Sequence, residues 1–413
     1  MKIKNLFVFL ASSILLLSCE KTENKKLTFS SWGSIDEMKI LKPILAKFTE
    51  KTSIDVELIH IPDNYFQKLH MMFASDTAPD VVFMNNLTMP VYADSGVFEP
   101  INNFIENDKE LKIDEFYPQV VNAMKWKNNF YGLPRDISNL LIYYNKDMFD
   151  KYKIAYPKPD WSFSDFLEIS KKLTQDTNND SKPDTYGFAL DKRPLFWLPF
   201  VWSSGGDVFN PSLTEFNLNS KESIDGLQNY IDLRNKYKVA PSEKEVGNTK
   251  TAQLFSQEKI GMQLSGRWSV PTYKKIIKFN WDVIPFPKMS KGSIVDVDAS
   301  GWCMSKSSKN KENAWKLIKF LAGSDSIRSF SSSGLIVPSR KDVAQEFMKE
   351  KEPLGSKYFI DIIETGRPIR TTPNWNEIST EIDLGLENIW EGKEDLNSAT
   401  NKISKRVNTL LKQ

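Results

Sequence analysis

Hydrophobic and polar positions along the chain follow two alternating patterns. Short apolar runs bounded by turn residues predict strands, and stretches in which apolar residues recur every three or four positions predict helices with one buried face. Strands are predicted at Leu27–Ser31, Asp55–Ile61, Asp80–Met84, Leu140–Asn145, Ile260–Ser265 and Trp281–Pro285. The helical stripes include Met38, Leu41, Leu45 and Phe48, then Ala314, Leu317, Ile318 and Leu321, and later Ile382, Leu386 and Ile389. This alternation of strands and helices indicates an α/β fold.

One helix has a clear start signal. Ser162 is followed three residues later by Asp165, which is the spacing of a capping box, and the helix is expected to end at Leu173. Pro157 and Pro159 exclude an earlier start, since proline disrupts the interior of a helix.

The first 18 residues have the pattern of an export signal. Lys2 and Lys4 precede the uncharged apolar run Leu6–Leu17, which ends two residues before Cys19. A basic start, an apolar run and small residues before a cysteine predict a lipoprotein signal at residues 1–18, with lipid attached to Cys19 after cleavage. A run of about 12 residues is too short for a membrane span, which takes about 20.

The alternatives are an ordinary secretory signal with an incidental cysteine, or a short membrane anchor. On the lipoprotein interpretation the protein is exported and held to the extracellular or periplasmic face of the membrane. Residues 19–26 are polar and are expected to form a short tether from the lipid to the first strand.

Composition narrows the possible classes further. The chain has 55 Lys and Arg against 53 Asp and Glu, and the signal removes two of the basic residues, so the mature chain is close to neutral. This balance gives no reason to expect nucleic acid as a partner. Cys303 is the only cysteine after Cys19, so no internal disulfide is available. About 395 mature residues exceed what one core usually serves, so two lobes are expected.

Five segments together carry a family resemblance: Pro79–Asn86, Tyr131–Phe149, Trp161–Thr174, Phe255–Trp268 and Asn310–Gly323. Each motif alone is weak, but their order and distances are specific. In this set the chain resembles the extracellular solute-binding proteins of family 1, the sugar-binding lipoproteins that deliver ligand to ABC importers. The resemblance covers essentially the whole mature chain.

The resemblance implies a two-lobed periplasmic-binding-protein fold, with a hinge that the chain crosses three times and a ligand cleft between the lobes. It places residues 26–137 and 266–310 in the N-terminal lobe, and residues 138–265 and 311–413 in the C-terminal lobe. Ligand would lie at the carboxyl ends of the strands, and lobe closure would be read by the permease subunits of the transporter. A monomer with no enzyme activity is expected.

Tryptophans support a carbohydrate ligand independently of the family. The chain has 11 Trp, and several lie outside the amphipathic stripes, in short polar or glycine-containing segments: Trp32, Trp202, Trp268, Trp302 and Trp375. The apolar face of a pyranose stacks on a flat ring, and its hydroxyls pair with planar polar groups. Taken singly, however, such a tryptophan more often fills a core than contacts ligand.

Polar candidates come from the same segments. Asn85 and Asn86 follow a predicted strand, and Gly206 lies in the glycine-containing segment after Trp202. Arg135 and Asp136 lie at the first expected hinge and Arg267 at the second, and the resemblance adds Tyr65 and Arg340. Two structural alternatives compete with a ligand role. Arg135 and Asp136 could pair only with each other, and Asn85 could only cap the following turn.

The segment Asp176–Asp184 has the spacing of a calcium loop. Oxygen side chains stand at its positions 1, 3, 5 and 9, and a backbone carbonyl at position 7, supplied by Asp176, Asn178, Asp180, Asp184 and Lys182. Two departures weaken the match. Ser181 replaces the usual glycine, and Gly187 stands where a bidentate Glu is usual. A structural Ca²⁺ ion is expected here, with a plain turn rich in Asp and Asn as the alternative.

No catalytic constellation is visible in the sequence. His60 and His70 are the only histidines, and nucleophile and phosphate-binding motifs are missing. Any of the many Asp and Glu residues could meet as a carboxylate pair for glycoside hydrolysis, which leaves a surface-anchored carbohydrate-active enzyme or adhesin as the less favoured alternative. Within the binder class, the arginines leave open an anionic ligand such as a uronide or glycerol phosphate: Arg135, Arg267, Arg340, Arg367 and Arg370.

Overall fold

A computed structural model describes residues 26–349 and 353–412. Its strands are β1 (Leu27–Ser31), β2 (Val56–His60), β3 (Val81–Asn85), β4 (Lys125–Trp126), β5 (Asn129–Phe130), β6 (Gly132–Ser138), β7 (Leu140–Asn145), β8 (Met262–Gly266), β9 (Trp281–Ile284), β10 (Asp298–Met304) and β11 (Val337–Pro338). The expected signal peptide, the lipidation site Cys19 and residues 19–25 of the tether lie outside the described residues.

The helices in the first half of the chain are α1 (Ile35–Thr52), α2 (Tyr65–Ala74), α3 (Met89–Asp94), α4 (Asn102–Asn107), α5 (Pro118–Ala123), α6 (Lys146–Lys151), α7 (Phe163–Leu173) and α8 (Pro194–Ser203). Those in the second half are α9 (Lys221–Asn235), α10 (Glu243–Val246), α11 (Thr251–Ser256), α12 (Val270–Ile276), α13 (Lys311–Leu321), α14 (Ser324–Ser331), α15 (Lys341–Phe347), α16 (Tyr358–Asp361), α17 (Trp375–Trp390) and α18 (Leu396–Leu410). Short 3-10 helices lie at Ile113–Glu115, Arg267–Ser269 and Leu354–Lys357.

A six-stranded mixed sheet forms the first lobe, in the order β11-β6-β10-β3-β1-β2. β1, β2 and β3 are parallel, whereas β10 runs antiparallel to both β3 and β6. Buried residues of α1, α13 and α14 form one hydrophobic cluster with Phe29 and Phe83 of the sheet. The stripes seen in the sequence for α1 and α13 are therefore core contacts.

A three-stranded antiparallel sheet, β8-β7-β9, forms the centre of the second lobe. Only Asn139 separates β6 in the first sheet from β7 in the second. The chain returns from the second lobe to the first between β9 and β10. After β11 it passes to the second lobe again, where α16 packs on β7 and α18 packs on α9. The fold is thus two-lobed, and the chain passes between the lobes three times.

Two of the predicted lobe segments need correction. The segment 266–310, assigned to the N-terminal lobe, contains β9, which pairs with β7 of the second sheet. The segment 311–413, assigned to the C-terminal lobe, begins with α13 and β11, which belong to the first lobe. An apolar strand or an amphipathic helix does not reveal which sheet covers it, so the sequence pattern could not decide either case.

Local structure follows the sequence more closely. β1 and β7 begin and end as predicted, and the other four predicted strands differ by one or two residues at one or both ends. The capping box at Ser162 is present, because its hydroxyl accepts from Asp165 N and the Asp165 carboxylate accepts from Ser162 N. Among the described residues, no helix is both long and apolar enough to cross a membrane.

Candidate functional site

The two sheets meet at one edge, and this edge is the candidate ligand cleft. In the first lobe it carries the carboxyl ends of β1 and β3 and the start of β10, since Ser300 pairs with Asn85. In the second lobe it carries the end of β8, because Leu140 at the start of β7 pairs with Gly266. Strand ends at a crossover between lobes are where α/β proteins bind ligands.

Trp32 lies at this edge, directly after β1. Its ring centroid is 5.0 Å from Tyr65, 5.3 Å from Phe66 and 4.2 Å from Phe83. The side chain remains half-buried. We call Trp32, Tyr65, Phe66 and Phe83 the Trp32 cluster.

Tyr65 supports this cluster from below. It is buried, and its hydroxyl lies 2.9 Å from Ser30 Oγ. Burial raises the pKa of Tyr65. Its contacts are therefore those of a structural residue under Trp32, and sequence reasoning missed Phe66, which is half-buried at the same position.

Trp268 lies at the facing edge of the second lobe, just after β8. Its six-membered ring rests on the backbone of Gly266, where a Cβ would overlap the ring. The residue is 39% exposed, which is unusual for a tryptophan. Asp36 Oδ2 and Lys275 Nζ, 2.9 Å apart, join the helices α1 and α12 that follow Trp32 and Trp268.

Asn85 and Asn86 have structural partners. The Asn85 side chain accepts from Thr88 N at 2.9 Å, so it caps the following turn, as the alternative held. Asn86 is buried, and its Nδ2 donates to Asp298 Oδ1 at 2.8 Å. Asp298 also accepts from Ile369 N at 2.8 Å, so it connects three chain segments at the crossover.

Burial raises the pKa of Asp298 to about 7. The pKa of Asp296, two residues earlier, is raised well above its usual range by burial and by the neighbouring Asp298. Neither oxygen of the Asp296 carboxyl has a partner among the described residues. Asp298 is the first residue of β10, and Asp296 lies just before this strand, where the chain returns from the second sheet to the first.

Arg135 and Asp136 are buried and pair with each other, with Arg135 Nη2 2.6 Å from Asp136 Oδ2. Arg135 also forms an ion pair with Glu37 of α1. Asp136 Oδ1 accepts from Ser300 N at 3.0 Å. The mutual pairing that competed with a ligand role is therefore present, and Glu37 was missed from sequence.

Arg340 and Arg267 turn away from the cleft surface, which corrects both predictions. Arg340 pairs with Glu115 and Asp342 on the far side of β11, a strand that runs away from the cleft edge. Arg267 is 2% exposed and donates to Gly334 O at 3.1 Å and to Ser356 Oγ at 2.8 Å.

Trp302 does not contact the cleft surface, so its predicted stacking role is wrong for this arrangement. It lies inside β10, is 1% exposed and packs in the first-lobe core with Phe83. In the sequence, Trp302 follows the glycine-containing segment Ser300-Gly301. Gly301 instead marks a close approach of β10 to Leu133 of β6, where a Cβ would overlap the carbonyl oxygen.

Trp375 is also buried, at the start of α17, with its ring centroid 6.1 Å from Phe209. Trp202 is buried in α8, and its Nε1 donates to Asp207 Oδ1 at 3.1 Å. Neither side chain presents a ring face at the surface of this structure. These two predicted stacking residues belong to the packing of the second lobe.

Arg367 and Arg370 form a partly exposed cluster with Asp207 beside the crossover. Arg370 Nη2 lies 2.7 Å and Arg367 Nη2 3.5 Å from the same oxygen, Asp207 Oδ2. The Arg367 guanidinium lies 4.5 Å from the Trp202 ring centroid and donates to the carbonyl oxygen of Gly206 at 3.2 Å. Burial lowers the pKa of Arg367, and the charge of Arg370 adds to this, against the opposing effect of the Asp207 carboxylate.

The loop Asp176–Asp184 is folded by its own side chains. Asn178 Nδ2 lies 3.3 Å from Asp180 Oδ2 and 3.2 Å from Asp184 Oδ1, so two carboxylates approach one amide donor. Asp176 Oδ1 is buried without a partner in the described part of the chain. No group of three or more His, Cys, Asp or Glu able to hold a metal is present within the described ranges.

Residues 32–327, more than half of the chain, match the family model of the bacterial extracellular solute-binding proteins. The chain belongs to this family. Its relatives include the galactooligosaccharide-binding protein of Bacillus subtilis, 22% identical, and the maltodextrin-binding protein MdxE of the same organism, 24% identical. Each alignment covers 97% of this chain and 95% of the relative.

Solved structures agree with the two-lobed fold. The ABC substrate-binding protein Lmo0181 of Listeria monocytogenes, in complex with cycloalternan, is 25% identical with a TM-score of 0.85, over 94% of this chain and 98% of that one. Maltose-bound MalE3 of T. maritima is 23% identical with a TM-score of 0.77, over 93% and 99%. The family is one of solute-binding proteins, and Lmo0181 is named as an ABC substrate-binding protein.

Proposed function

We propose that this protein captures a mono- or oligosaccharide in the cleft between its lobes and delivers it to the permease subunits of an ABC transporter. The observation that carries the proposal is the exposed Trp268 ring at the cleft edge, with the Trp32 cluster at the edge of the other lobe. Rings at this edge suit the apolar face of a sugar. Galactooligosaccharide, maltodextrin and cycloalternan are the ligands named for its relatives.

Capture needs no covalent step. Closing the two lobes over a sugar would bury its faces, and the changed shape of the protein would be read by the permease. The protein is proposed to act as a monomer, which size-exclusion chromatography with light scattering tests directly.

A thermal-shift screen tests the proposal. The panel contains maltotriose, a galactooligosaccharide, cycloalternan and D-tagatose, with D-glucuronate and glycerol 3-phosphate as anionic probes. A ligand at 100 times its Kd stabilises the folded state by about 2.7 kcal/mol. A shift with at least one sugar supports the proposal, and no shift with any sugar at millimolar concentration contradicts it.

An anionic sugar derivative, such as a uronide or a glycerol phosphate, is the second candidate ligand. It is favoured by the Arg367, Arg370 and Asp207 cluster, in which two guanidinium groups share one carboxylate. Arginine suits carboxylate and phosphate groups. Binding of glucuronate or glycerol 3-phosphate that weakens as salt rises would favour this candidate over a neutral sugar.

A surface-anchored carbohydrate-active enzyme or adhesin remains the third candidate. Incubation of the protein with each oligosaccharide of the panel, followed by product analysis, separates an enzyme from a protein that only binds. We expect every oligosaccharide to be recovered intact.

Lipid anchoring is proposed from the sequence alone. Cys19→Ala should abolish lipid labelling and release the protein from membranes, whereas Cys303→Ala should leave labelling unchanged. Cys303 is the matched control because it is a buried free thiol, and burial raises its pKa. Membrane association that survives Cys19→Ala would contradict the proposal.

A structural Ca²⁺ ion is proposed at the loop Asp176–Asp184. The residues fit in part: two carboxylates approach the Asn178 amide, and Asp176 Oδ1 is buried without a partner among the described residues. Asp176, Asn178, Asp180 and Asp184 would supply side-chain oxygens and Lys182 its carbonyl. Chelation should lower the Tm of the wild type and leave Asp180→Ala unaffected, and a wild-type Tm indifferent to chelator would contradict the proposal.

A further inference from the structure

The turn that follows Trp32 rests on Glu37. Gly33 has φ +126°, a backbone conformation that residues with a side chain rarely adopt, and a Cβ there would overlap the Glu37 carboxylate. Ser34 caps α1 by accepting from Glu37 N at 3.2 Å. His60 Nε2 lies 2.8 Å from the carbonyl oxygen of Gly33 and ties the turn to β2.

Arg135 links Glu37 to the ring beneath Trp32. Its guanidinium forms an ion pair with Glu37, and its central carbon lies 4.2 Å from the ring centroid of Phe83. The Phe83 ring centroid in turn lies 4.2 Å from that of Trp32. Trp32 is thus restrained twice, through the Gly33 turn and through Phe83, and both restraints lead to the Glu37–Arg135 pair.

We infer that Glu37 and Arg135 are positioning residues for ligand binding, whose buried ion pair holds Trp32 in place at the cleft. Their side chains are 9% and 8% exposed, so both act through Trp32 without contacting the ligand. The inference rests on the proposed function, in which Trp32 contacts the sugar. It adds that the affinity depends on a charge in the interior of the first lobe.

Glu37→Gln tests the inference. The amide keeps the size of the side chain beneath Gly33 but removes its charge, which leaves Arg135 with Asp136 as its remaining carboxylate partner. Removing one partner of a buried pair disturbs the other. We expect iodide quenching of Trp32 fluorescence to increase, measured as the difference between proteins that carry Trp32 and Trp32→Phe variants.

We also expect Glu37→Gln to raise the Kd for the panel sugar by about three- to tenfold, provided that one of these sugars binds. This is the range of a lost aromatic contact. The loss should disappear when Trp32 is already replaced. In the Trp32→Ala background, Glu37→Gln should change Kd less than about twofold, because independent effects add and effects through one group do not.

Glu115→Gln is the matched control. Glu115 pairs with Arg340 in the same lobe, away from Trp32, and its loss should lower Tm without changing quenching or Kd. Phe83→Leu interrupts the restraint that reaches Trp32 through Phe83. It is the variant to test if Glu37→Gln fails to fold.

Two results would overturn the inference. One is a lower Tm with unchanged quenching and unchanged Kd, and the other is an equal loss of affinity with and without Trp32. If no panel sugar binds, the proposed function fails, but the quenching measurement still decides whether the ion pair positions Trp32.

Discussion

Trp32 and Trp268 lie at the edges of two different lobes and are held in different ways. Trp32 is half-buried among Tyr65, Phe66 and Phe83, above the Glu37–Arg135 pair. Trp268 is 39% exposed and rests on the backbone of Gly266. One ring is therefore packed among other aromatic side chains, and the other is open to solvent on its outer face.

The difference indicates a division of work in the cleft. A ring fixed before binding loses little entropy when a ligand stacks on it, whereas an exposed ring loses rotamer freedom on ordering. We expect the first lobe to set the orientation of the sugar and the second lobe to adapt to it as the cleft closes.

The largest expected effect separates core tryptophans from cleft tryptophans. Trp302→Ala should destabilise the protein by about 3–5 kcal/mol, because it empties a buried site beside Phe83. Trp268→Ala should change stability far less. Denaturant unfolding measures both, and a comparable loss for the two variants would remove the distinction between core and cleft.

The crossover that joins the two regions should give a pH dependence. The pKa of Asp298 is raised by burial, to about 7, from its usual value of 3.8, so the folded state binds more protons than the unfolded state. The contribution of Asp298 to the free energy of unfolding is therefore fully present below about pH 4. It decreases by about 1.4 kcal/mol per pH unit as the pH rises towards 7.

Asp298→Asn should reduce this slope, because an amide oxygen still accepts from Asn86 and Ile369 but does not titrate. Denaturant unfolding between pH 4 and 8 measures the slope for both proteins. Identical slopes would mean that Asp298 does not control the pH dependence.

Both cleft rings should contribute to affinity. Trp32→Ala and Trp268→Ala should each raise the Kd for the panel sugar by about tenfold, which corresponds to about 1.4 kcal/mol of binding free energy. Calorimetry beside melting curves distinguishes lost contacts from lost folding. If the first lobe sets the orientation of the sugar, Trp32→Ala also reduces the differences in affinity among the panel sugars. Trp268→Ala then lowers the affinity for all of them by a similar factor.

The smallest expected effect concerns the contact between the helices that follow the two rings. Lys275→Gln removes the 2.9 Å pair with Asp36 and should weaken sugar binding by less than about fivefold, since exposed ion pairs contribute little. The effect should vanish at 1 M salt. Lys274→Gln is the neighbouring control, and an equal effect of both variants would show that only general charge matters.

The sequence predicted local structure well. The spacing of apolar residues and the positions of turn residues were enough to predict the bounds of β1, β7 and the helix capped by Ser162, because these elements depend on neighbours in the chain. The sheet to which β9 and α13 attach depends on contacts far along the chain, which the pattern does not contain. The lobe boundaries were therefore partly wrong.

The candidate site was predictable only in part. Trp268 and Trp302 both follow glycine within two residues, yet Gly266 ends a strand and Gly301 lies inside one. A glycine placed for close strand approach has the same sequence signature as a loop glycine. Glu37 follows Ser34 by three residues, the spacing of a capping box, but this pattern does not reveal the contact with Arg135, which the fold alone brings beside it.

Small-angle scattering with and without the bound panel sugar tests the central claim most directly. The account predicts that the radius of gyration decreases on binding, because the lobes close over a sugar held between Trp32 and Trp268. The decrease should be smaller in the Trp32→Ala, Trp268→Ala double variant at the same sugar concentration. Binding by calorimetry with an unchanged radius of gyration would contradict capture by lobe closure.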